Sequence, residues 1–135
     1  MPNLMDMTNE EVGEALRAQI IAEQNDAFRQ TLGGGMWRGQ RIEGQMVMTS
    51  GVRDLGAAFV QAAARATMAF DSFTEDNDPH GDHDFGVMEI AHEGKPVRVY
   101  WKIDLYDTDY VFGSDTPHEP AGTRRVLTLL LPSEW

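Results

Sequence analysis

Cysteine is absent from this 135-residue chain, so no disulfide staples it, no thiolate ligates a metal and no thiol acts as nucleophile. No apolar run approaches the roughly 20 residues that a membrane span requires. The opening Met1-Pro2-Asn3-Leu4-Met5-Asp6 lacks the basic-then-apolar pattern of a secretory signal, and a cytoplasmic protein is the expectation. Bases are scarce: 11 Lys and Arg stand against 22 Asp and Glu, a formal net charge of −11. Such a chain is not expected to bind nucleic acid by neutralising phosphates, which takes clustered Lys and Arg. What remains, 41% apolar and 24% charged residues, is globular composition with enough chain to bury a core.

The shortage of bases is local. Between Asp71 and Glu93 there are eight carboxylates and three histidines without one Lys or Arg. From Asp71 to Pro120 the balance is 3 bases less 13 acids, or −10, whereas the rest of the chain holds 9 acids and 8 bases. The centre reads Asp76-Asn77-Asp78-Pro79-His80-Gly81-Asp82-His83-Asp84. A cluster of this kind repels itself, so its folding calls for a cation, a basic partner or open access to water.

Periodicity gives the frame. Thr8-Asn9-Glu10-Glu11 fits a capping box, and Val12, Leu16, Ile20, Ala27 and Phe28 recur at helical spacing until Gly33-Gly34-Gly35. Leu32 to Gly39 lacks the Gly-Lys-Ser/Thr ending of a phosphate loop and reads as a flexible connector. A short strand over Gly44 to Thr49 precedes an Ala-rich helix of roughly 18 residues from about Val52 to Phe70, with Ser50 as N-cap. After the acidic stretch the period becomes two. Phe85 to Ala91 is a strand, Glu93-Gly94 a hairpin turn, and Val97, Val99, Trp101 and Ile103 alternate with Arg98, Tyr100 and Lys102. Tyr106 to Phe112 forms a further run, and Val126 to Leu131 is apolar enough for a central strand. The order predicts one α+β domain over residues 1–135, two helices packed on an antiparallel sheet of about four to five strands, with residues 1–7 a flexible lead.

Three segments carry a resemblance: Ala69 through the acidic run to Gly86, Trp101-Lys102-Ile103-Asp104-Leu105-Tyr106-Asp107, and Thr123-Arg124-Arg125-Val126-Leu127-Thr128. They resemble the domain-of-unknown-function family 3768, short bacterial proteins of alphaproteobacterial chromosomes and plasmids, over roughly Ile20 to the C-terminus. The resemblance implies relatives on mobile DNA and supplies no activity.

For the acidic run the residues leave three readings open. Carboxylates and imidazoles suit hard and borderline divalent metals, so Asp76, Asp78, His80, His83 and Asp84 are candidate ligands for Mn²⁺, Fe²⁺, Zn²⁺ or Ca²⁺, with Asp82 beside them. An EF-hand is excluded, because Val87 stands where the bidentate Glu belongs. Alternatively, Asp71, Glu75, Asp76, Asp78, Asp82, Asp84, Asp104, Asp107 and Asp109 form an acidic face for a protein partner with a basic surface. In the third reading Arg124 and Arg125 brace the loop from within. The reading leans to binding over catalysis. It predicts a small acidic inhibitor, mimicking nucleic acid, that engages a nucleic-acid-binding protein or defence complex in the manner of an anti-CRISPR or anti-restriction protein. A metal-dependent hydrolase working through the His80–Asp84 loop is the alternative.

Overall fold

The computed structural model describes residues 8–135, so the flexible lead expected for residues 1–7 lies outside the described residues. Thr8 takes the expected N-cap position, its hydroxyl accepting the Glu11 N–H at 3.1 Å, and α1 (Asn9–Gln30) follows. Its buried face is not the apolar seam the spacing suggests. Ala22 and Phe28 are buried together with Gln24, Asn25 and Arg29, whereas Leu16 is 50% exposed. Only the second half of α1 enters the core, and there it carries polar side chains inward.

The glycine-rich segment after α1 is ordered rather than loose. It leads into a hairpin of β1 (Met36–Trp37) and β2 (Gln40–Arg41), turned by Arg38 and Gly39, both at positive φ. A two-residue loop with two such residues matches the twist of paired strands. Then come β3 (Gly44–Met48), a single turn α2 (Ser50–Arg53) and α3 (Ala57–Ala69). The one helix expected over this stretch is broken because Gly56 adopts φ 99°, a value outside helical space. Thr49, not Ser50, is the N-cap of α2, accepting the Val52 N–H.

The period-two region forms as expected: β4 (Phe85–His92), a turn at Glu93-Gly94, and β5 (Lys95–Tyr106). The separate run expected over Tyr106 to Phe112 is a turn instead. The Asp107 carboxylate accepts the Asp109 and Val111 N–H groups, which bends the chain back to a bridge between Tyr106 and Gly113. A 3-10 turn (Pro120–Gly122) leads to β6 (Arg124–Leu130), and a second one (Pro132–Glu134) closes the chain.

The sheet order is β3-β6-β5-β4, so β6 is central as its apolar sequence requires. The α+β class and a mostly antiparallel sheet hold. The exception is the β3–β6 pair, which is parallel because the helices and the β4–β5 hairpin intervene between the two strands. Helices cover one face. Val99, Trp101, Ile103, Leu127 and Leu129 pack there with Phe28, Val52, Phe59 and Ala63. Gly86 pairs with Trp101 across β4 and β5, and a Cβ at that position would collide with the indole. The other face carries Phe85, Tyr100 and Trp135 in mutual edge-to-face contact. No described helix is long and apolar enough to cross a membrane.

Candidate functional site

Residues 70–84 join α3 to β4, and the loop builds itself from short-range bonds before anything anchors it. Thr74 and Asn77 bond reciprocally, the Thr74 N–H to Asn77 Oδ1 at 2.8 Å and the Asn77 N–H to Thr74 Oγ1 at 3.3 Å. The Asp78 N–H reaches the Thr74 carbonyl at 2.8 Å, and Gly81 at φ 70° closes a turn on the Asp78 carbonyl. These are the turn bonds that Asx and hydroxyl side chains favour. At its end the Ile103 N–H donates to the Asp84 carbonyl at 2.8 Å, stitching the loop to β5.

His83 is where loop and helix meet. It sits at φ 55°, uncommon for a residue with a side chain. Its N–H donates to Asp78 Oδ1, and its ring stacks on Phe73 with centroids 3.7 Å apart and planes 4° from parallel. Nδ1 lies 2.9 and 3.0 Å from the two Asp26 oxygens on α1. A carboxylate only accepts, so Nδ1 carries the proton of this bond. Nε2 points toward Asp78, 3.5 Å from Oδ2.

Asp26 is held in turn by Arg29, 2.9 Å away. Arg29 is buried, donates to the Thr67 and Phe70 carbonyls at the end of α3, and lies over the Phe73 and Trp101 rings. A cation there meets the negative end of the helix and its free carbonyls. Asn25 adds a second fastening, donating to the Asp82 carbonyl at 2.9 Å while accepting from Arg125 Nε at 2.7 Å.

Three loop carboxylates converge. Oxygens of Asp78, Asp82 and Asp84 lie within 4.8 Å of one another, a spacing that could hold a divalent ion. The Asp78 side chain is 6% exposed. Asp82 Oδ1 is buried without a hydrogen-bond partner among the described residues. Burial pushes the Asp82 carboxyl up to about 6, aided by its bond to Asp84 and by the charges of Asp84 and Asp78.

Of the expected metal ligands, the structure brings Asp78 and Asp84 together with Asp82, sets His83 Nε2 3.5 Å from Asp78 but outside that carboxylate cluster, and leaves Asp76 and His80 exposed and apart from it. The nine expected acidic-face residues divide. Asp71, Glu75, Asp76, Asp78, Asp82 and Asp84 share the loop. Asp104 lies beyond Ile103 on the face away from the helices and pairs with Lys102 at 3.0 Å, while Asp107 caps its turn next to exposed Asp109. The internal brace by Arg124 and Arg125 does not form. Arg124 pairs with Glu43 at 3.1 Å, and Arg125 is buried between the Asn25 and Gln24 amides. Burial lowers the Arg125 guanidinium to about 10, and its Nη1 has no partner among the described residues.

A groove of about 640 Å³ runs between the loop and the stretch of α1 from Ala15 to Asp26. Its floor is Ala15, Leu16, Ala18 and Ala22; Pro79 and His80 form the facing wall, and His83 and Asp26 close one end. Beside it a shallower extension reaches Glu11 and Glu14. Glu23, Asp26, Glu75 and Asp78 add carboxylates, and no Lys or Arg lines either part among the described residues. Sequence reasoning placed no site residue on α1. The available signal was the polar run Gln24-Asn25-Asp26, which interrupts the apolar seam between Ile20 and Phe28.

Fold and site together define a small α+β protein whose acid-rich loop is fastened onto its first helix. The chain belongs to the family described as Protein of unknown function (DUF3768), which matches residues 48–134. That span holds the whole loop with β4, β5 and β6, but it begins at the last residue of β3, well after α1 and the Ile20 start that the resemblance implied. No curated protein and no solved structure matches the chain.

Proposed function

We propose that the protein is a small acidic binding protein that engages a basic surface of a nucleic-acid-binding protein or defence complex, as an anti-CRISPR or anti-restriction inhibitor would. One observation carries this reading: six carboxylates surround the groove between α1 and the loop, and no Lys or Arg lines it among the described residues. Carboxylates so arranged repel phosphates and attract the Lys and Arg of a protein that binds them. The test is inhibition of purified nucleases and effector complexes across a range of salt. Inhibition that fades with salt, and with Glu11→Lys, Glu14→Lys and Glu23→Lys together, supports the reading. The absence of both retention and inhibition for every such protein at low salt removes it.

A second reading, a metal-dependent hydrolase, is favoured by one different observation, the unpartnered Asp82 Oδ1 within the Asp78–Asp82–Asp84 cluster. A bound ion there would supply an activated water, with His83 positioned by Asp26 to take its proton. Elemental analysis of gently purified protein decides it. Stoichiometric metal lost in Asp82→Asn supports it, and sub-stoichiometric metal in both proteins rules it out.

A further inference from the structure

We infer that the groove between α1 and the loop receives a basic amphipathic helix of the partner protein, an inference that rests on the binding reading above. Leu16 is 50% exposed at the groove, among Ala15, Ala18 and Ala22. A broad basic surface would meet the rim and leave this apolar floor wet. An occupant that fills it must carry aliphatic side chains as well as charge.

The spacing says which shape. Ala15, Ala18 and Ala22 follow one another at three and four residues, as do Leu16, Gln19 and Glu23. Side chains at that spacing form the seam against which a second helix packs at a shallow angle, and small ones let its backbone come close. Glu11, Glu14 and Glu23, all exposed, lie along the same stretch. From Glu11 to Glu23 the helix rises about 18 Å, enough for three to four turns of a partner. Apolar side chains at the seam with Lys or Arg beside them complete the match. A second copy of this chain does not fit, since a net charge of −11 repels its like.

The full-length protein would be titrated against three fluorescein-labelled peptides of about 18 residues. One is a Leu/Ala/Lys helix with its leucines on one face, one is a scrambled isomer of it, and one is oligolysine of equal charge. The amphipathic helix is expected to bind about tenfold tighter than the other two. Leu16→Asp and the gentler Leu16→Gln should each erase that preference, and Ala18→Arg should weaken binding of all three, with melting temperatures unchanged. Equal affinity for all three peptides, untouched at Leu16, overturns the inference and leaves the acidic binding reading standing. No binding of any peptide at low salt overturns both.

Discussion

Asp82 gathers the tension of the acidic loop into one side chain. Its folded carboxyl pKa of about 6 lies above the ordinary 3.8, because burial and its neighbours Asp84 and Asp78 disfavour the charge. A carboxyl raised in this way favours the fold fully below the unfolded value, and that contribution is lost as pH rises through the folded one. At pH 7.5 Asp82 is therefore a liability. Asp82→Asn keeps the carbonyl that Asn25 bonds and removes the charge. Two pKa units correspond to roughly 3 kcal/mol, and solvent screening at this half-buried group reduces that to about 1 kcal/mol. In chelator-containing buffer, urea unfolding should show the variant more stable at pH 7.5 and equal to the wild type near pH 4. A variant less stable at pH 7.5 would mean that its neighbours welcome the charge.

At the scale of elements, what decides the site is how the loop is fastened to α1. Asn25 bridges Arg125 on β6 to the Asp82 carbonyl, so one amide joins helix, sheet and loop. Asn25→Ala leaves a buried guanidinium with Gln24 as its remaining side-chain acceptor and should cost about 2 kcal/mol. Amide exchange over residues 78–84 should quicken along with it. Lost stability with unchanged exchange in the loop would show that the loop stands without α1. A comparable tie closes the other end of the molecule. The Glu134 carboxylate accepts the Thr49 hydroxyl at 2.6 Å and the Gly51 and Leu131 N–H groups. The Thr49 bond leads the causes that hold its pKa below the ordinary 4.5, so its contribution is present above that value and is lost as pH falls through the folded one. Glu134→Gln should lower the melting temperature by a few degrees at pH 7, and the deficit should shrink as pH falls below the ordinary 4.5 toward the lowered folded value. A pH-independent deficit would point to lost packing instead.

These elements also show what a sequence exposes. The β5 alternation from Val97 to Ile103 was legible because side-chain direction repeats every two residues along the chain itself. Thr8 was legible as a cap because its bond spans three residues. The Asp26–His83 contact joins positions 57 apart, and the parallel β3–β6 pairing joins Gly44 to Arg125, so no local period announces either. The acidic run was visible as composition. Which of its members converge was not, since Asp78, Asp82 and Asp84 meet through the turns at Gly81 and His83.

For the whole molecule, the charge of −11 sets salt against two processes in opposite directions. Within the free protein, attractive pairs such as Asp26–Arg29 and Glu43–Arg124 oppose repulsion among 22 acids. Arg29 is buried and its pair is screened little, whereas most of the carboxylates face water and are screened well. Salt should therefore remove more repulsion than attraction. Between about 20 and 300 mM NaCl, over which the screening length falls from roughly 20 to 6 Å, the melting temperature should rise by several degrees. Over the same range the affinity for a basic partner should fall, because the carboxylates that repel each other in the free protein are the ones a partner's cations would neutralise. A melting temperature that drops with salt would show that attraction outweighs repulsion in the free protein. The acidic loop would then be satisfied by its own neighbours, with no electrostatic need left for a partner to meet.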